Sequence, residues 1–209
     1  MNKTTAIKIQ RDQIDQTVKT LKSSGHVNHI ATGDVMIRGL RSLGYKDNAK
    51  ALAELIDNAV EAGAENIWIV FEYADEKKKK KLKSIAVIDD GCGMPLEMIP
   101  HAMTIGGTSR EDSRTGYGRF GWGAPASALS IGKEWTIYSK YADKGPVLSS
   151  TFDINKVGDY KDANGSVVIP DASKGKLPAF IEKKFPKGTG TAVVITNLDQ
   201  LELKTPTLL

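Results

Sequence analysis

The chain has 209 residues, 40% apolar and 26% charged, enough for one compact domain with its own core and unlike a disordered or fibrous segment. Its formal charge of +4 comes from 29 basic against 25 acidic residues, and removing the five-residue run Lys77–Lys81 leaves 24 against 25, which excludes a basic field spread over the whole surface and leaves one basic spot. The single cysteine, Cys92, excludes a disulfide framework and a cysteine-built zinc site; with no signal-like leader and no apolar run near the roughly 20 residues of a membrane span, a cytoplasmic protein without membrane contact is expected.

No repeat and no Pro/Gly/Ser-rich linker divides the chain. From Ile7 to Leu21, Ile9, Ile14, Val18 and Leu21 recur at loose helical spacing among charges, as in an amphipathic arm or helix. A second short segment follows at Thr32–Leu40. Asp47 can cap a helix in which Ala51, Leu52, Leu55, Ile56 and Ala59 share a face and which ends near Gly63. The stretch from Asn66 to Tyr73, containing IWIVFEY, and Lys83–Asp89, reading KSIAVID, are rich in β-branched and aromatic residues and predict two strands. Between them lies DEKKKKK, which sets the lysine run at the tip of a hairpin, either a solvated turn or a contact for nucleic acid. From Gly91 to Gly132 the texture changes, with nine of the chain's 20 glycines in about a fifth of its length, a backbone suited to approaching a ligand closely. A short helix is expected at Ala124–Ile131, strands at Trp135–Ser139, Val147–Ile154 and Thr191–Thr196, and loop from Asn155 to Lys187. Helices at the front and strands joined by hairpins give an α+β class: a two-layer α/β sandwich with helices on one face of a mixed, mostly antiparallel sheet.

Four groups of residues could carry chemistry. Glu54 and Asn58 are four apart on the capped helix and share a face, so a carboxylate and a carboxamide could serve there as general base and magnesium ligand, or simply face water. Asp89-Asp90-Gly91-Cys92-Gly93-Met94 ends a strand. An ionised aspartate only accepts hydrogen bonds and could read an exocyclic amine, while the glycines leave room for a flat group; an Asp-Gly turn would look the same. Gly116-Tyr-Gly118-Arg119-Phe120-Gly121-Trp122-Gly123 feeds backbone amides into a helix N-terminus, an arrangement that suits phosphates. It also spells GxGxxG, but TSREDSRT before it is not the buried strand that a dinucleotide-binding fold needs. Last, Gly188-Thr189-Gly190-Thr191 enters the final strand.

In this order the four groups resemble the GHKL, or Bergerat-fold, ATPases, which include DNA gyrase, heat-shock chaperones, sensor histidine kinases, MutL and MORC proteins. The pattern E-x-x-x-N, D-x-G-x-G, glycine-rich lid and G-T before a strand runs from about Ala51 to Asn197. GRFGWGAPASALSIGKEWTIYSK is similar to the chaperones and MORC ATPases, LIDNAVEA to gyrase, MutL and MORC. The resemblance implies the Bergerat ATP-binding fold over residues 46–209 and, over residues 1–45, an arm or helix able to exchange between the copies of a dimer, the two together forming the front of a longer protein. It implies ATP and Mg2+ as cofactors and hydrolysis to ADP and phosphate. Glu54 would be the general base, Asn58 the magnesium ligand, and Asp57 an accessory acidic residue. Asp89 would accept the adenine amino group, Gly91 and Gly93 would shape the pocket, Met94 would pack on the base, and Thr191 would support the adenine. Gly118, Arg119, Phe120, Gly121, Trp122 and Gly123 would form the lid at the phosphates, with Arg110 and Arg119 as candidate phosphate contacts. Closure of this lid, roughly Gly106–Gly123, would drive homodimerisation and act on a DNA or protein client through downstream domains. In gyrase and MutL a following domain supplies a lysine to the γ-phosphate, which Leu209 precedes here. The alternative is a non-hydrolysing nucleotide sensor or assembly module, and further off a nicotinamide-cofactor oxidoreductase. His26, His29 and His101 are expected to be structural or surface residues.

Overall fold

The structure, a computed structural model, describes residues 33–43, 45, 47–75, 80–105, 122–162 and 166–200, all within one unit that begins at Gly33. The Ile7–Leu21 segment, Lys77–Lys79, and Arg110, Gly118, Arg119, Phe120 and Gly121 of the lid lie outside the described residues. The first element, α1 (Gly33–Leu43), extends the expected Thr32–Leu40 segment by three residues at its C-terminal end and buries Ile37 and Leu40. Although it belongs to the stretch read as an arm, α1 is fastened to the body of the domain. Arg41 donates to the carbonyl oxygens of Leu129 and Gly132 at 3.0 and 2.9 Å and forms a two-pronged pair with Asp199.

Asp47 caps α2 (Asn48–Glu61), its carboxylate accepting the Ala49 N–H at 2.9 Å, and Gly63 ends the turn beyond it with a positive φ of 76°. Ala51, Leu55 and Ala59 form the buried stripe that the helical spacing predicts. The strands β1 (Ile67–Asp75) and β2 (Lys80–Asp89) form the expected antiparallel hairpin, paired from Ile67 opposite Asp89 to Asp75 opposite Lys80 with a register shift between Glu72 and Tyr73. The lysine run is therefore not all turn: Lys80 and Lys81 belong to β2, Lys80 opposite Asp75 and Lys81 at a positive φ of 57°.

Then come α3 (Met98–Met103), α4 (Gly123–Ile131), β3 (Gly132–Lys140) and β4 (Leu148–Asp153). After β4, a 3-10 turn (Ile154–Asp159), the short β5 (Ser173–Lys174), α5 (Ala179–Glu182) and β6 (Gly190–Leu198) complete the described chain. Among the described residues six strands lie in the order β1-β2-β6-β3-β4-β5, and every pairing between them is antiparallel where a mixed sheet was expected. The α+β sandwich stands. Ile85 and Val87 of β2 join Leu55, Leu129 and Trp135 in the core beneath α1 to α4, while the alternate residues Ala86 and Ile88 join Ala192, Val194, Ile181 and Phe185 on the other face. On that second face α5 supplies Ile181, with Phe185 just beyond it. The helix α4 is buried from Pro125 to Ile131, and its small residues permit close approach to α2, with the Ser127 hydroxyl donating to the Ala51 carbonyl oxygen.

Candidate active site

Strand periodicity builds one wall. On β2, Asp89 falls on the same face as Ile85 and Val87; on β6, Thr191 matches Val193 and Ile195; on β3, Ser139 matches Trp135 and Ile137. The register sets Asp89 opposite Thr191 and Thr191 opposite Ser139, so the three make one polar row across three neighbouring strands, at the edge of the apolar core. Ser139 is fully buried. Its hydroxyl accepts the Met94 N–H at 2.8 Å and lies 3.0 Å from the Thr191 hydroxyl and 3.2 Å from the Gly190 carbonyl oxygen. Thr189 donates to the Gly91 carbonyl oxygen at 2.8 Å, so the G-T turn holds the D-x-G-x-G loop by side-chain bonds and not only by strand pairing.

The two adjacent aspartates have different fates. Burial pushes the Asp89 carboxyl up from 3.8 to about 6, against the opposing pull of the Gly91 and Thr191 backbone N–H donors; the Gly91 bond is 2.9 Å. Asp90 sits outside the core and anchors the turn after α2, accepting the Asn66 side-chain N–H at 2.8 Å and the backbone N–H groups of Asn66 and Glu65 at 2.8 and 2.9 Å. These bonds, the Asn66 side chain foremost, hold its carboxyl below the usual range. Gly93 is required where it stands: its φ is 68°, and a Cβ there would overlap the Lys140 carbonyl oxygen.

Opposite this row, α2 presents Glu54, Asn58 and Glu61, and α4 presents its N-terminus. They enclose with it a cavity of about 370 Å³, within the range of small-molecule sites. Of the residues singled out from the sequence, Glu54, Asn58, Asp89, Gly93, Met94, Gly123 and Thr191 line it. Gly91 adjoins through its bond to Asp89. Trp122, at the N-cap of α4, is 47% exposed and is not among the lining residues; Asp57 is exposed. The first turn of α4 has no side-chain cap, and Gly123 and Ala124, whose N–H groups lie there, both face the cavity, the arrangement that attracts an anion. A Cβ at Gly123 would overlap Glu54 Oε1, so glycine is what lets α4 reach the carboxylate.

Four residues at the site carry no strong sequence signal. Tyr45 donates from its hydroxyl to Glu54 Oε2 at 3.2 Å, and burial, followed by the Glu54 charge, pushes that hydroxyl up, which keeps it protonated as a donor. Met98 and His101 reach the cavity from α3, a helix too short for periodicity to show; His101 is thus exposed, as expected, but beside the site. Ser139 could have been found only from the strand register. Among the described residues no three His, Cys, Asp or Glu side chains converge on a metal position, so a cation here would take the carboxamide oxygen of Asn58 together with oxygens of its ligand. That sparse oxygen set fits magnesium bound with phosphates better than zinc or a calcium cage. Among the described residues, no helix is long and apolar enough to cross a membrane.

The chain is 35% identical over 91 residues to the human MORC family CW-type zinc finger protein 1, covering 43% of this chain and 9% of that protein. It is 28% identical over 120 residues to the ATPase morc-1 of Caenorhabditis elegans, covering 57% and 13%, and 38% identical over 84 residues to the DNA mismatch repair protein MutL of Caulobacter vibrioides, covering 40% and 11%. The match thus spans about a tenth of the length of these relatives. Residues 45–184, which hold Glu54, Asn58, Asp89 and the α4 N-terminus, match the family model of histidine kinase-, DNA gyrase B- and HSP90-like ATPases, and the chain belongs to that ATP-binding family.

Proposed function

We propose that this chain is a magnesium-dependent ATPase domain in which the cavity holds the whole nucleotide. The observation that carries the reading is the convergence on one cavity of a buried carboxylate from the sheet, Asp89, with Glu54, Asn58 and an uncapped helix N-terminus from the opposite wall. Asp89 would accept the adenine amino hydrogen, with Gly93 and Met94 against the ring and Thr191 holding Asp89 by its backbone N–H. The phosphates would meet the first turn of α4 and the lid residues Gly118, Arg119, Phe120, Gly121, Trp122 and Gly123. Mg2+, when bound, supplies charge neutralisation on the phosphates, and Asn58 is the residue that would hold it. Glu54 would take a proton from water as the water oxygen bonds to the γ-phosphorus; the bond from that phosphorus to the β–γ bridging oxygen breaks, leaving ADP and inorganic phosphate.

Closure of the lid on the γ-phosphate would then favour a dimeric state, in which the part of residues 1–45 ahead of α1 acts as an exchanging arm, while α1 and Tyr45 stay with the nucleotide domain of residues 46–209. The name of the MutL relative, a DNA mismatch repair protein, supports a client in DNA transactions, handled by parts of a longer protein in the reducing cytoplasm. The test is ATP binding and turnover by three chains. Relative to wild type, Glu54→Ala should lose about 10²–10⁴ in turnover while still binding ATP, and Asp89→Asn should lose binding. Normal turnover by Glu54→Ala would show that the mechanism is wrong. Binding without any turnover by the wild-type chain, even with protein in excess over ATP, would favour the sensor reading.

A further inference from the structure

We propose that Tyr45 is a positioning residue for hydrolysis: by donating to one oxygen of Glu54 it presents the other to the α4 side of the cavity. The proposal rests on the reading of Glu54 as the general base. The terminal torsion of a glutamate is broad and roughly two-fold, so an unrestrained carboxylate samples many orientations and spends little time in a productive one. Here the two oxygens are distinguished. Oε2 accepts from the Tyr45 hydroxyl at 3.2 Å, and Oε1 is the atom that a side chain at Gly123 would strike. Because a carboxylate is planar, fixing Oε2 fixes Oε1. The anchor is itself held, since the Tyr45 ring packs against the main core cluster and the residue lies just ahead of the Asp47 cap that starts α2. The uncapped amides at the start of α4 flank the position to which Oε1 is turned, so the oriented oxygen faces the place where bound phosphate would be attacked. A tyrosine suits this task because it donates one proton along the ring axis and, being weakly acidic, keeps it at neutral pH.

The experiment compares ATP turnover, with ATP varied and also with protein in excess, for Tyr45→Phe in the wild-type chain and in the Glu54→Ala background. Phenylalanine keeps the ring and removes only the hydroxyl. Expected is a fall of about tenfold in kcat with the KM for ATP changed by less than about twofold, the split for an interaction made through the reacting group, and no further fall once Glu54 is alanine. Equal loss in both backgrounds would make Tyr45 structural and overturn the proposal; so would unchanged kcat, or a raised KM alone. A lowered melting temperature does not blunt the comparison, because a folding defect reduces both backgrounds alike. The two readings fail separately. Full turnover by Glu54→Ala removes the base and this proposal together, whereas loss in Glu54→Ala beside normal turnover in Tyr45→Phe removes the proposal alone.

Discussion

Asp89 is predicted to weaken the fold that holds it, and replacing it should separate stability from binding. Its carboxyl is raised from 3.8 to about 6, chiefly by burial. An acid with a raised pKa in the folded state binds its proton more tightly there than in the unfolded chain, so stability falls as pH rises from about 4 to about 6 and stays at the lower level above that. A rise of about two pH units at about 1.4 kcal/mol each makes the cost of the ionised form about 3 kcal/mol. Asn has nearly the same shape, keeps an oxygen for the Gly91 and Thr191 N–H donors, and carries no charge. In urea unfolding at about pH 8, the Asp89→Asn chain should therefore be more stable than wild type by about 2–3 kcal/mol, a gain that shrinks to about 0.5 kcal/mol at about pH 4. If Asp89 accepts the adenine amino hydrogen as proposed, the same substitution sets an amide donor against that group, and loss of the charged acceptor should weaken ATP binding about 10–100-fold or more. An Asp89→Asn chain no more stable than wild type at the higher pH, or with a pH-independent advantage, would refute the reasoning about burial. Undiminished ATP affinity would refute the role of the carboxylate.

Gly123→Ala should lower turnover about a hundredfold, because the added methyl must displace the Glu54 carboxylate and misplacement on the order of 1 Å can cost that much; the melting temperature should hold or rise, since alanine favours the helix. Steady-state kinetics beside thermal unfolding will show both, and normal turnover would mean that Glu54 Oε1 does not need its present position. Ser139→Ala strips the acceptor from the Met94 N–H and a partner from Thr191, so it should cost about 1–3 kcal/mol, a fall in melting temperature of about 3–9 °C, and weaken ATP binding as well. Replacing Lys77–Lys81 by glutamine should leave ATP affinity unchanged; if the run contacts DNA, it should reduce the salt dependence of DNA binding by a log–log slope of about 4. An unchanged slope returns the run to a solvated turn.

What could be read along the chain was what local physics decides. Asp47 capped its helix and Ala51, Leu55 and Ala59 turned inward because capping and the 3.6-residue period act within a few residues. The hairpin β1–β2 followed from two adjacent β-rich runs, but the assignment of Lys80 to its second strand depended on Asp75 across the ladder. The helix α3 escaped notice because six residues containing Pro100 show little periodicity. In the segment from Asn155 to Lys187, read as loop, α5 is only four residues long, and what fixes it is Ile181 and Phe185 packing beneath the sheet. Glu54 and Asn58 were legible as a shared helix face. The bond from Tyr45 to Glu54 was not, because nine positions separate them and no pattern links a loop tyrosine to the cavity side of the following helix.

The most distant piece of the site is also the one most tied to folding. β6 is the last strand of the described chain, yet it lies between β2 and β3, so the row Asp89, Thr191, Ser139 does not exist until the strand from Gly190 to Leu198 has closed the middle of the sheet. Beyond that strand Asp199 pairs with Arg41, which also takes the carbonyls of Leu129 and Gly132 at the end of α4. The row Asp89, Thr191, Ser139 and the helix α4 are thus joined through contacts made late in the sequence, and such non-local closures are slow to form because loop entropy is lost before they reward it. Glu54 stands differently: it projects from a helix whose cap and buried stripe are local, and its carboxylate is not part of the core. Substitutions that remove bonds from the sheet row should therefore lower stability and nucleotide affinity together, as argued for Ser139, whereas changes at Glu54 should alter rate and leave folding nearly untouched. Asp89 is the exception that sharpens the distinction, since there the group that would recognise the base is the one whose ionisation the sheet resists.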